Sequence, residues 1–218
     1  MKPTSLQGIA NKAASDKGHR FRNLFGVLTV GYLLWCWRFV NKRAASGVDR
    51  QDARSYETNL KANVEVLVSA VKAGRYRAKQ VLRKYIPKLN GKLRPLGIPA
   101  IADKLLQIGV SKLLEAIYEQ DFLECSYGYR PGVGALDAIR DLSAVLRSGD
   151  YHYLVEADIR GFFDNIAHEK LIELLELRID DKPFLRLIRK WLKAGILEPD
   201  GVVNYPEKGS PQGGLCEA

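Results

Sequence analysis

From Tyr56 onward, apolar side chains recur at Leu60, Val64, Leu67 and Val71, a spacing that predicts a helix over Tyr56–Ala73 with one buried face. Gly74 follows as its stop signal. Two helices are predicted upstream, Ser5–Ala14 and an apolar run from Asn23 through Val40. That run is bracketed by Arg22 and Arg38 and falls short of the ~20 residues a bilayer span requires, so a core helix is predicted. The texture then changes. Val81–Ile86 and Lys92–Ile98 flank Pro87-Lys88-Leu89-Asn90-Gly91, and Asn-Gly near the tip of two such runs predicts a β-hairpin. Pro87, Pro95 and Pro99 confine its strands to edge or terminal positions. Further helices are predicted at Ile101–Glu119, Ala135–Leu146, His168–Leu177 and Phe184–Ala194, the first two separated by a Gly- and aromatic-rich loop, Cys125–Gly132. Tyr153–Ile159 is predicted as a buried strand ending in a carboxylate. Val202–Tyr205 is a short strand leading into Gly209-Ser210-Pro211-Gln212-Gly213-Gly214.

Charge adds an asymmetry that the periodicity does not show. The chain of 218 residues carries a net +9. Residues 1–100 hold 20 basic and 5 acidic side chains, while 101–218 hold 14 and 20. One surface for a polyanion and another where carboxylates gather is the expectation. Cys36, Cys125 and Cys216 are too few and too scattered for a disulfide framework or a cysteine-rich zinc site. With no recognisable signal peptide, a reduced cytoplasmic protein without membrane attachment is expected.

Three segments could carry chemistry. Asp158, at the end of the apolar run and followed by Gly161-Phe162-Phe163-Asp164, is placed to offer an oxygen ligand to a hard cation such as Mg²⁺, although a strand-end Asp more often caps a turn. Lys84, Lys88, Lys92 and Arg94 would project cations from the hairpin toward phosphate oxygens; lysines also protect edge strands from aggregation. In Gly209–Gly214 small residues let a backbone approach a ligand, and Gln212 can both donate and accept. Taken alone, that segment reads more readily as a plain loop. His168 and Glu169 read as a solvated first helical turn, and Asp180-Asp181 as a helix cap.

The four segments together, in the order Tyr85-Ile86-Pro87-Lys88-Leu89-Asn90-Gly91-Lys92-Leu93-Arg94-Pro95, Ser126-Tyr127-Gly128-Tyr129-Arg130-Pro131-Gly132, Ala157-Asp158-Ile159-Arg160-Gly161-Phe162-Phe163-Asp164 and Ser210-Pro211-Gln212-Gly213-Gly214, resemble the group II intron reverse transcriptases, the intron-encoded maturases. The resemblance runs from about Ser5 to Gly214. It implies an α+β right-hand polymerase fold: a helical amino-terminal extension (1–80), fingers with the basic hairpin (81–150), and a partial palm (151–218). It also implies partners: an intron RNA template, a DNA primer and deoxynucleoside triphosphates. Lys88 and Arg94 match positions that grip the nucleotide phosphates, Asp158 the first metal-binding aspartate, with the Ile159 carbonyl as a further Mg²⁺ ligand. Phe163 matches the aromatic gate beneath the sugar, Gln212 the residue along the nucleotide, and Arg130 a template- and palm-supporting loop. Arg20 and Arg22 belong to the basic extension expected to hold RNA.

Two departures qualify the resemblance. The family's second carboxylates lie on a Tyr-x-Asp-Asp hairpin downstream of the Pro-Gln-Gly segment, which this sequence does not contain, so the 218-residue chain is expected to be a truncated or partial polymerase without activity of its own. Val133 stands where the family commonly has a basic residue. The alternative expectation is a non-catalytic RNA-binding module.

Overall fold

The computed structural model describes residues 4–87, 91, 93–149 and 151–210. Helix α1 (Thr4–Ser15) forms where the spacing predicts it. The apolar run after it does not make one helix. Thr29 interrupts it with an extended backbone and a hydroxyl that accepts from the Tyr32 N–H, ending α2 (Leu24–Val27) and capping α3 (Val30–Cys36), which closes in a 3₁₀ turn at Trp37–Phe39. A hydroxyl at that position satisfies a donor the helix start would otherwise strand. The third predicted helix is divided in a similar way. Asn59 leaves the helical region between α4 (Ala53–Thr58) and α5 (Leu60–Lys72), and the Asn63 amide donates to the freed Tyr56 carbonyl at 2.8 Å. Both breaks come from side chains competing for backbone groups, which hydrophobic spacing does not register.

Helix α6 (Ile101–Tyr118) is the central element, burying Ile101, Leu105, Leu106, Val110, Leu113 and Ile117. It packs against α1 and α3, and α3 also meets α5. Gly109 is where α3 comes closest: a Cβ there would stand 2.7 Å from Leu33 Cδ2, and the Tyr32 hydroxyl donates to the Gly109 carbonyl at 2.8 Å. Helices α8 (His168–Glu176) and α9 (Lys182–Leu192) and the turn between them enter the same core through Ile172, Phe184 and Leu187 on the helices and Ile179 on the turn. Backbone bonds join them to the segment after α1, Phe21 N–H to the Arg178 carbonyl at 2.7 Å and Asp180 N–H to the Phe21 carbonyl at 2.8 Å. Asp181 is the helix cap expected from the sequence; its carboxylate accepts from the N–H groups of Phe184 (3.1 Å) and Phe25 (2.9 Å).

The hairpin forms as predicted from β1 (Val81–Pro87) and β2 (Leu93–Ile98), antiparallel with Tyr85 opposite Pro95 and Ile86 opposite Arg94. Two short strands extend it, β3 (Ile196–Leu197) and β4 (Val203–Asn204), giving the order β2-β1-β3-β4. Pro95 lies on the edge strand β2, as its missing N–H requires; β1 is interior only at Val81 and Leu82, which pair in parallel with β3. The two residues of β3 are too few to carry a period in sequence.

Two expectations fail. Tyr153–Ile159 is neither a strand nor buried: Tyr153 and Val155 are 93% and 91% exposed. No strand among the described residues pairs with this segment, and an apolar run has no ladder to form without a neighbour. His168 is not solvated but buried at the start of α8. A related feature is α7 (Ala135–Arg147), which forms as expected yet buries none of its residues, with Leu136, Ile139, Leu142 and Val145 all exposed. Among the described residues no helix is long and apolar enough to cross a membrane.

Candidate active site

Phe163 is where three of the sequence-distant segments meet. It opens a 3₁₀ turn, Phe163–Asn165, in the loop after Asp158. The Gly209-Ser210 segment docks on this loop by backbone hydrogen bonds: Gly209 N–H to the Ile166 carbonyl and Ser210 N–H to the Phe163 carbonyl, both 2.8 Å. Gly209 has φ +82, and a Cβ on it would lie 2.8 Å from the Asp164 carbonyl oxygen, so the approach depends on glycine. The third segment arrives through Tyr129, whose ring meets the half-buried Phe163 ring edge-on at 5.9 Å and 87°, while Phe162 meets it at 5.4 Å and 79°. Such edge contacts restrict a ring's tilt without covering its face.

Arg130 explains why Tyr129 can hold that position despite a left-handed backbone, φ +57. Its guanidinium pairs with Glu119 at 3.2 Å, donates to the carbonyls of Leu123 (3.1 Å) and Ser126 (2.6 Å), and lies over the Phe122 ring at 5.1 Å. A planar fork satisfying three acceptors at once fixes the loop more firmly than a lysine could. Arg130 is thus engaged inside the protein, tying the loop to the end of α6.

Asp158 and Ile159 are both exposed, on the segment that leads into the Phe163 loop. Oxygen donors suit Mg²⁺, but the described residues contain no group of three His, Cys, Asp or Glu side chains able to hold a metal. One carboxylate and one carbonyl do not amount to a two-metal site. The other acidic pair is already committed, Asp181 to helix capping and Asp180 to Arg22 at 2.8 Å.

The hairpin is held at its root. Asp103, buried in α6, accepts from the Tyr76 hydroxyl (2.6 Å) and from the N–H of Lys79, two residues before β1 (2.9 Å); the Trp191 indole donates to the same hydroxyl at 2.8 Å. Burial pushes the Asp103 carboxyl up from its ordinary value, opposed by those hydrogen bonds, and pushes the Tyr76 phenol up as well. Farther out, Glu198 accepts from Tyr85 (3.0 Å) and pairs with Arg83 (3.4 Å). Arg94 is exposed on β2. Lys88 and Gln212 lie outside the described residues. Arg20 and Arg22 are exposed on the segment after α1, Arg20 donating to the Glu176 carbonyl at 2.9 Å and Arg22 pairing with Asp180.

Residues 86–216 match the family model described as reverse transcriptase (RNA-dependent DNA polymerase). The chain belongs to the reverse transcriptase family. Its similarity to the group II intron-encoded protein LtrA of Lactococcus lactis subsp. cremoris is 36% identity over 99% of this chain and 36% of LtrA. Protein YkfC of Escherichia coli strain K12 is 36% identical over 95% of this chain and 56% of its own length. An uncharacterized 91 kDa protein in the cob intron of Schizosaccharomyces pombe is 36% identical over 70% of this chain. The chain therefore spans about a third of LtrA and just over half of YkfC. These matches agree with the group II intron reverse transcriptase resemblance carried by the four motifs.

His168 and Tyr129 are the site residues that sequence reasoning missed. His168 stands four positions before the buried Ile172, on the helix face that enters the core, and that spacing was the available signal. Tyr129 gave none beyond its place in an aromatic loop.

Proposed function

We propose that this chain forms the fingers and first part of the palm of an RNA-directed DNA polymerase of group II intron type, holding intron RNA on its basic extension. The observation that carries this is the convergence of the Tyr129–Arg130 loop and the Gly209-Ser210 segment on the Phe163 loop, the first through the Phe163 ring and the second through its main chain. In this proposal Lys88 and Arg94 hold the triphosphate of the incoming nucleotide, Phe163 lies beneath its sugar, Gln212 runs along it, and Asp158 with the Ile159 carbonyl contributes the first oxygen ligands. Mg²⁺, when bound, would lower the pKa of the primer 3′-hydroxyl and neutralise the triphosphate. Arg130 acts by bracing the loop that carries Tyr129.

RNA binding is tested through salt. Each phosphate contact releases condensed counterions, so affinity for a structured intron RNA is expected to fall linearly in log–log terms, by roughly tenfold or more between ~50 and ~200 mM salt. Arg20→Glu with Arg22→Glu is expected to flatten that slope. Lys182 cannot serve as the remote comparison, being two residues from the Asp180 that holds Arg22. Arg140→Glu with Arg147→Glu on α7 is the better one. Equal effects of the two pairs, or binding indifferent to salt, would remove the RNA surface from the amino-terminal half.

The second reading, an RNA-binding module without chemistry, is favoured by one specific observation: Asp180 and Asp181 are both engaged structurally, so that pair does not join Asp158 in holding a second cation. Accordingly the purified 218-residue chain is expected to add no deoxynucleotide to a primer on an RNA template with Mg²⁺. Incorporation that disappears in Asp158→Ala would overturn that expectation and favour catalysis by the chain alone.

A further inference from the structure

Gly209 is held by more than its backbone. The Nε2 atom of His168, a residue only 6% exposed, lies 2.7 Å from the Gly209 carbonyl oxygen across a sequence separation of 41 residues. The carbonyl can only accept, so the proton sits on Nε2. Around this bond lie the Gly209 and Ser210 N–H bonds to Ile166 and Phe163, a bridge between Ala167 and Lys208, and a bond from Lys208 Nζ to Asn165 Oδ1 at 2.8 Å. Every bond except one is made by groups at the protein surface or by the main chain. The exception is His168, which is anchored in the core at the first turn of α8.

We propose that His168 is the positioning residue that latches the Gly209-Ser210 segment onto the Phe163 loop. This rests on Phe163 being the sugar gate only for its functional meaning, not for its existence. A loop is drawn from the less stable parts of a protein, and here two loops must share one register for the gate ring and the chain entering Pro211-Gln212 to face the same nucleotide. Surface bonds between them exchange readily with water. A donor rooted in the core does not, because its withdrawal would leave the Gly209 carbonyl and the imidazole both unpaired in a buried position. The latch thus ties the register of the two motif loops to the packing of α8.

Chain length and chemistry of the side chain separate this from simple core filling. His168→Gln would place an amide nitrogen where Nε2 now stands, the shorter amide of His168→Asn matches Nδ1 instead and falls short, and His168→Phe keeps a ring but donates nothing. Backbone amide hydrogen exchange on the 218-residue chain is the measurement, read at Gly209 and Ser210, with Ile172 and Leu187 reporting the core. His168→Phe and His168→Asn are expected to speed exchange at Gly209 and Ser210 about tenfold, equivalent to about 1.4 kcal/mol, with Ile172 and Leu187 unchanged, while His168→Gln stays close to the parent chain. Unchanged exchange in His168→Phe would overturn the latch, as would equal acceleration at Gly209, Ser210, Ile172 and Leu187, which would make His168 a general core residue. Rescue by His168→Gln but not by His168→Asn supports it. Should Phe163→Ala leave nucleotide selectivity intact in a polymerising enzyme, the gate assignment falls while the exchange pattern, and the latch with it, stands.

Discussion

Replacing Arg178 with methionine is expected to lower the unfolding free energy of the chain by about 1–3 kcal/mol, the range for leaving buried hydrogen-bonding groups without their partner. The Arg178 side chain is 7% exposed, and Asp121 pairs with it at 3.0 Å. Its guanidinium also donates to the carbonyls of Ala13 (3.3 Å), Asp16 (3.1 Å) and Lys17, the acceptors left open where α1 ends. Phe21 lies against the same group, with its ring centroid 5.9 Å from Arg178 Cζ. Methionine fills much of the stem volume, so the loss would come from the charge and the hydrogen bonds and not from a cavity. A drop in urea midpoint with an unchanged dependence on urea would report it; a loss below about 1 kcal/mol would show that water replaces the guanidinium at little cost. Arg178→Lys is expected to fall between, because one ammonium cannot face Asp121 and three carbonyls together.

The effect would reach the proposed RNA surface as well. Arg20 and Arg22 flank Phe21, which pairs strand-like with Ile179 a few residues after α1 ends, so their presentation depends on the same anchor. Loosening the end of α1 should let both arginines sample other directions, weakening the proposed RNA contact without removing either side chain.

Much of this architecture is legible in the sequence where one period or one turn signal governs it. The hairpin follows from Asn90-Gly91 between apolar runs, α6 from the spacing of Leu105, Leu106, Val110, Leu113 and Ile117, and the Asp181 cap from its place before Phe184. What is not legible depends on partners far along the chain. Thr29 and Asn63 support helix breaks through hydrogen bonds that hydropathy ignores. Tyr153–Ile159 has a strand's composition but no neighbouring strand among the described residues. His168 and Arg178 are polar residues whose burial follows from carbonyl groups at Gly209 and at the end of α1. The candidate site divides in the same way: the motif order indicates which segments belong to it, while only the fold shows that Tyr129 and Gly209 reach the Phe163 loop and that Arg130 faces inward.

In a polymerase carrying this sequence, Phe163→Ala is expected to reduce the preference for deoxynucleotides over ribonucleotides by roughly tenfold or more, since steric discrimination of one small group is worth about 1–3 kcal/mol. A ring excludes a 2′-hydroxyl only if it cannot tilt away. Phe162 and Tyr129 both meet the Phe163 ring at near-perpendicular angles, and the Phe163 carbonyl accepts from the Ser210 N–H, contacts that oppose tilting of the ring and displacement of its backbone. Phe163→Tyr keeps the ring and should keep the preference, while Phe163→Ala opens the space without removing a ligand or a charge. The deciding quantity is the ratio of kcat/KM for a deoxynucleotide to that for its ribonucleotide, with the deoxynucleotide value itself little changed. An unaltered ratio in Phe163→Ala would mean that the sugar is not seated on this ring, and the three converging segments would then have to be explained as packing alone.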